Sequence, residues 1–331
     1  MKSRTRVLNV VLTIVAFAAV LVWLLPFYWA ISVSLRPPSM TFTCPGLCIP
    51  GVQFSPTLEH WRSELGSREM RNALLNSTVI AFAASFFTLL LGTPAAYALA
   101  RFRFQPRLVV IFAFIFCGIL AFTAATFGVD WRLAILAAFV VFLGFAMTLG
   151  KRFERRLGNE DITLWFLSQR FLPPIVTVVP FLLIMSQLKL IDTKLALVLV
   201  NITFNLPFAI VIMRQAFIDL PVELEEAAMV DGASFFGAFS RIALRLAAPV
   251  MAATLMIILA FCWNELLFAL NLGTLNAKTV PALLAGSSST RGIQFWFVAV
   301  RALTALIPPT ILALLAQRYI VGGLTFGAVK G

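Results

Sequence analysis

From Val7 to Leu35 the chain carries no charged side chain, and stretches of the same kind return along its length. A crossing of the bilayer's hydrocarbon core takes roughly 20 apolar residues. No water is available in lipid to pair backbone N–H and C=O groups, so an uninterrupted apolar run must pair them within itself, as an α-helix. Composition agrees: 61% of the 331 residues are hydrophobic and only 12% are charged, against about 25% charged in a typical soluble domain. The expected class is an all-α membrane protein, read as a single transmembrane domain over 1–331.

The apolar runs predict about eight transmembrane helices: Val7–Leu35, Ala73–Ala100, Leu108–Thr126, Leu133–Gly150, Ile162–Leu188, Leu195–Gln215, Val250–Leu272 and Phe297–Val321. The first run is too long for the core of a signal peptide, and no convincing small-residue cleavage site comes after it. It reads as a retained span. Cations gather at one set of span ends, among them Lys2, Arg4, Arg6, Arg101, Arg103, Arg107, Lys151, Arg152, Arg155 and Arg156. By the positive-inside rule those ends, and with them both termini, are expected in the cytoplasm. The proline-containing stretch from Arg36 to Asn72 then lies outside, with a short helix around Leu58–Leu65.

The net charge of +12 does not point to nucleic acid. The cations sit at span ends and form no stripe, and no recognition module is readable. Cys117 and Cys262 fall within apolar runs as small core residues. Cys44 and Cys48, in Cys-Pro-Gly-Leu-Cys, fit a local disulfide in an oxidising compartment and two unpaired thiols in a tight turn equally well. Two cysteines without further ligands make no zinc site. The single histidine, His60, reads as an exposed loop residue, and nothing near it forms the catalytic set a membrane enzyme would need.

One polar stretch, 219–249, differs from the rest. Asp219 is placed to cap a helix, Pro221 suits its first turn, and Glu223, Glu225 and Glu226 favour its positive end. Gly232 can end that helix in a left-handed conformation. Ser234 can cap a second helix, amphipathic up to Pro249. By itself this is an interfacial helix pair between spans. The spacing of Glu226-Ala227-Ala228, Asp231-Gly232-Ala233-Ser234 and Ile242-x-Leu244, however, resembles the EAA signature of ABC-importer permease subunits. Tyr97-Ala-Leu-Ala-Arg101-Phe-Arg-Phe104, Phe261-Cys-Trp263-Asn264-Glu265 and the ending Gln317–Gly331 resemble the carbohydrate-uptake branch of that family, with its maltose-type permeases. Leu164–Pro174 is similar to its polyol and sugar members. The chain departs from the pattern twice. Arg245 stands where the family usually has proline, and 108–161 has no counterpart in the usual six-span member.

The resemblance implies a six-span permease core plus an inserted two-helix hairpin at 108–161. Adding two spans leaves 219–249 in the cytoplasm, as the EAA coupling loop. It further implies that Glu226, Ala227, Ala228, Asp231, Gly232, Ile242 and Leu244 couple the chain to ABC ATPase subunits, and that the tail around Gly327–Gly331 touches them too. The remaining partners would be a second homologous permease subunit, an extracytoplasmic solute-binding protein and the lipid of a bacterial inner membrane. The cargo would be a sugar, polyol or related carbohydrate moved inward. The chain would carry no catalytic or metal-binding residue and no cofactor, with ATP and magnesium held by the partner ATPase. The sequence itself lacks a phosphate loop: Gly150-Lys151 is succeeded by Arg152, where Ser or Thr is needed. Arg170, Asn201, Asn205 and Asn264 are polar positions within or beside spans and so candidates for the substrate pathway. The hairpin, uniformly apolar around Phe112, Phe114, Phe116, Phe139, Phe142 and Phe145, is expected to be peripheral and lipid-facing. The rival reading, an ion-coupled secondary transporter, predicts internal repeats and mid-membrane acidic groups, and neither is evident.

Overall fold

The structure, a computed structural model, describes residues 2–40, 44, 46–152, 155–286, 288–289 and 292–326. Most of these residues are helical, and one pair of two-residue strands joins Ser288–Ser289 with Gly292–Ile293. The helices are α1 (Lys2–Ser34), α2 (Glu59–Gly66), α3 (Arg68–Arg101), α4 (Leu108–Thr126), α5 (Trp131–Met147), α6 (Asn159–Ser168), α7 (Ile175–Gln187) and α8 (Lys194–Ile218). They continue as α9 (Glu223–Val230), α10 (Phe235–Ala238), α11 (Leu244–Leu246), α12 (Ala248–Trp263), α13 (Leu267–Leu272), α14 (Val280–Ala285) and α15 (Phe295–Phe326).

Among the described residues, five helices are long and apolar enough to cross a bilayer: α1 from Leu8, α3, α4, α8, and α15 as far as Leu315. Two bent helix pairs raise the number to seven, and α5 is shorter than the rest at 17 residues. At 1.5 Å per residue α5 covers roughly 25 Å, less than the hydrocarbon core of about 30 Å. The run expected as one span, Ile162–Leu188, is broken. Helix ends at Phe171 and resumes at Ile175, because Pro173 and Pro174 lack N–H donors and the residue before a proline is pushed out of the helical region. The run Val250–Leu272 is likewise interrupted between Trp263 and Leu267.

The chain forms two compact units. The first comprises Met1–Phe87, Pro174–Ile202 and Leu255–Thr325. None of the residues in its α1 window is buried in the protein, and Phe17, Val22 and Trp23 stand open. So much bare apolar surface suits lipid and not water. Inside the unit Met70 and Ala73 of α3 pack on Val280 and Leu283 of α14. Asn76 donates to the carbonyls of Asn276 and Lys278, and the Ser77 hydroxyl accepts from the N–H of Val280. Asp192, in the left-handed region at φ 58°, accepts from the N–H groups of Leu275, Asn276 and Ala277. Partial burial opposes its charge, but those donors outweigh it and hold the carboxyl below the usual carboxylate range.

The loop after α1 also belongs to this unit. Cys44 and Cys48 are joined, with Cα atoms 6.4 Å apart, so the disulfide, and not a pair of free thiols, closes this turn. The carbonyls of Cys44 and Gly46 accept from the buried Arg36 guanidinium, and that of Cys48 accepts from Tyr28 and Ser32. His60 corrects the expectation of an exposed loop residue. It is buried on α2, its Nε2 lies 2.8 Å from the Arg36 carbonyl, and its ring packs against Trp296 and Phe297. Glu64, one turn further on, pairs with Arg301 at 2.5 Å. Cys117 and Cys262 are free and buried, as expected.

The second unit comprises Thr88–Pro173, Thr203–Thr254 and Phe326–Gly331. Gly92 of α3 lets α8 come close: a Cβ there would meet that of Ala209 at 3.1 Å. The antiparallel α4–α5 hairpin hangs from a short ribbon in which Arg107 pairs with Arg156. The proposed tail contact, Gly327–Gly331, lies outside the described residues.

Candidate functional site

The polar stretch folds as two helices joined at glycine. Helix α9 starts at Glu223 with Val222 as its cap residue and no side chain capping it. Asp219 is therefore not the cap expected; its carboxylate instead accepts from the Gln215 side chain one turn back, at the end of α8. At the other end Gly232 adopts φ 89°, and the N–H groups of Gly232 and Ala233 return to the carbonyls of Met229 and Ala228. That wrapping closes the helix as a left-handed terminal glycine does. Ser234 caps α10, accepting from the Gly237 N–H at 3.1 Å.

After α10 the chain widens into a π-helical turn, Phe239–Ala243, which holds Ile242; Leu244 opens α11. Both side chains are half-buried, with Ala243 fully buried between them. Arg245 is exposed and leaves the helix running to Leu246, so the missing proline costs no break there. The break falls at Ala247, and Pro249 sits in the first turn of α12, where its absent N–H has no partner to lose.

The two adjacent glutamates of α9 have separate roles. Glu226, the one the signature names, is exposed, as are Ala227, Asp231 and Gly232, while Ala228 is half-buried. Glu225 is only 4% exposed. Its carboxylate accepts from the Tyr97 hydroxyl at 2.5 Å and from Arg101 at 2.6 and 2.9 Å. Arg101 also reaches the Leu220 carbonyl. Tyr97 and Arg101 lie one turn apart on α3, so one face of that helix grips α9. The Tyr97 ring packs on Phe217 and Phe239, tying in the end of α8 and the π-turn. With its anchor inside, the pair turns an outer surface of Glu226, Asp231, Val230 (88% exposed) and Phe236 (76% exposed) away from its own unit.

Three further side chains missed in the sequence steady the same end of the unit. Buried Arg214 of α8 pairs with Glu160 of α6 at 2.6 Å. Asn159 donates to the carbonyls of Leu99 and Phe102 and accepts from the N–H of Phe104, closing the end of α3. The usable sequence signal for Glu225 was the i, i+4 spacing of Tyr97 and Arg101.

The candidate pathway residues lie on α8 and beside the ends of α6 and α12. Arg170 sits in the 3₁₀ turn Gln169–Phe171 at the end of α6, its guanidinium 4.4 Å from the Phe208 ring centre. Asn201 and Asn205 are buried one turn apart on α8, and Asn201 donates to the Leu197 carbonyl. Asn264 is exposed and donates to Ala260 within its own helix. No group of three or more His, Cys, Asp or Glu side chains that could hold a metal ion occurs among the described residues.

Residues 73–325 match the family model for the binding-protein-dependent transport system inner membrane component. The chain is 31% identical over 312 residues to the trehalose transport system permease protein SugB of Mycobacterium tuberculosis, covering 93% of each chain. It is 29% identical over 333 residues to the trehalose/maltose transport system permease protein MalG of Thermococcus litoralis, covering 99% of both. Among solved structures, a chain of a bacterial ABC transporter involved in the import of the acidic polysaccharide alginate superposes with a TM-score of 0.65 at 18% identity, over 95% of this chain and 96% of that one.

Proposed function

The chain belongs to the family of binding-protein-dependent transport system inner membrane components, and on that premise we propose that it moves a sugar, polyol or related carbohydrate inward, driven by ATP hydrolysed on separate ABC subunits. It is a multi-pass permease subunit of an ABC importer. The relatives named for trehalose and maltose transport support the carbohydrate class. The ion-coupled alternative finds no support in these matches.

The observation that carries the mechanism is the division of labour on α9. A docking surface needs exposed contact groups on an element that cannot swing independently of the spans. Glu226, Asp231 and the small residues Ala227 and Ala228 supply the contacts, and Gly232 the turn. Glu225, held by Tyr97 and Arg101, supplies the rigid link into α3. When ATP closes the ATPase dimer, the pull on α9 and α10 is passed to α3 through that ion pair and to α12 through Ile242 and Leu244. Both termini and this loop are cytoplasmic in this reading, a second permease subunit completes the pathway, and a solute-binding protein delivers the cargo outside. Arg170, Asn201, Asn205 and Asn264 are its candidate solute-pathway positions. ATP and magnesium remain on the partner.

Purification from native membranes in mild detergent, then reconstitution in lipid, tests the assignment. ATPase subunits and a second permease should accompany the chain, and hydrolysis should rise when a carbohydrate-loaded binding protein is added. Uptake driven by an ion gradient without nucleotide would overturn it.

A further inference from the structure

The inserted hairpin joins two features that its role as an extra pair of spans leaves unused. Between α4 and α5 runs an apolar groove of about 670 Å³, lined by Val109, Phe112, Phe116 and Leu120 on one helix and by Val141 and Phe145 on the other. It runs along α4 from the second residue, beside the ribbon that closes the hairpin's base. In that ribbon the Leu108 N–H donates to the Arg155 carbonyl and the Leu157 N–H to that of Pro106.

The ribbon and its flanks carry Arg103, Arg107, Arg152, Arg155 and Arg156, all exposed or half-exposed. None of these guanidinium groups pairs with a carboxylate among the described residues. The described acids that follow the ribbon in the chain are already engaged: Glu160 holds Arg214, and Asp161 accepts from the Gly158 N–H. Glu154 lies outside the described residues. Repulsion among so many like charges is a cost that topology signalling alone does not require in one ribbon. An anion at this point would relieve it.

The geometry points to a binding site for an anionic phospholipid, with one acyl chain in the α4–α5 groove and the phosphate against the arginine ribbon. Tail and headgroup demands meet in one place: the groove's lining is almost wholly apolar, and the cations begin where it reaches the hairpin's base. Basic pockets beside membrane helices take up anionic headgroups for the same electrostatic reason. The partner of Arg101, Glu225 on α9, fixes the side: the lipid belongs to the leaflet that faces the coupling loop.

Native mass spectrometry of the intact complex, released from nanodiscs of phosphatidylcholine doped with phosphatidylglycerol, reads the site directly. Phosphatidylglycerol should stay bound selectively, competed off neither by millimolar inorganic phosphate nor by diacylglycerol, since each offers half of the recognised chemistry. Each cation removed should weaken retention about fivefold, so Arg107→Gln, Arg155→Gln and Arg156→Gln combined should weaken it about a hundredfold. Competition on the unaltered protein needs no variant to fold. Equal retention of phosphatidylcholine and phosphatidylglycerol, displacement by phosphate alone, or unchanged retention in a folded triple variant would each overturn the proposal.

Discussion

Glu225 and Glu226 are neighbours in the chain, and helical geometry turns them about 100° apart. One carboxylate goes inward to Tyr97 and Arg101 and the other outward. Removing one partner of a buried ion pair strands the other, at a cost of about 3–5 kcal/mol. Glu225→Ala is therefore expected to lower thermal stability in detergent by about that amount and to abolish binding-protein stimulation of the ATPase. Glu226→Ala should spare stability and weaken only subunit association, so a thermal scan beside a pull-down separates the two residues. Asp192 offers a second test. Its carboxyl is held below its ordinary value, partial burial opposing and the Leu275–Ala277 N–H groups prevailing. A depressed carboxylate contributes stability above the unfolded value of about 4, and that contribution fades as pH falls through the lower folded value. Asp192→Asn should lose about 1–2 kcal/mol at neutral pH and show a flatter acid limb in a melting-temperature profile against pH.

Gly232 shows how an element's end can be read from sequence. A glycine after a polar helix, before a serine, signals a left-handed close, and the structure has φ 89° there with Ser234 capping α10 beyond it. Space is not the constraint, since a Cβ at Gly232 would touch nothing within 4 Å. Backbone strain is. Gly232→Val should cost roughly 1–2 kcal/mol and swing α10 out of line, which ATPase stimulation would register as a loss larger than the drop in stability. Other element ends were less legible. Hydropathy sums treat Pro173 and Pro174 as neutral members of an apolar run, although their missing donors split it into α6 and α7. Asp219 looked like a cap because its residue type suits one, yet Gln215 takes its carboxylate and α9 begins later. His60 was misread because loop polarity cannot disclose that α2 folds onto Trp296 and Phe297. Each miss involves a partner far away in sequence or a donor that hydropathy does not weigh. The Glu225 anchor was half visible in the Tyr97–Arg101 spacing, but which of three glutamates it would hold required the turn of the helix.

At the scale of the whole chain, the hairpin is separable on geometric grounds. Its two ends do not merely approach each other; they are paired, Arg107 with Arg156, with the Leu108 N–H bonded to the Arg155 carbonyl at 3.0 Å. An antiparallel pair closed that way accepts a two-residue turn without moving either strand, and Asn-Gly has the backbone freedom for it. Replacing 109–154 by Asn-Gly should therefore leave Asn159, Glu160 and the end of α3 in place, since their bonds begin beyond the ribbon. The expected result is subunit assembly and solute uptake within about twofold of the parent, as for changes that break no packed or paired group. Phosphatidylglycerol retention should be lost at the same time, because the groove leaves with the excised helices. Uptake and lipid retention measured on the same reconstituted complex distinguish the alternatives. If both fall together, the bound lipid serves the transport cycle; if assembly fails, the hairpin carries a subunit contact and is not the lipid-facing insert its sequence suggests.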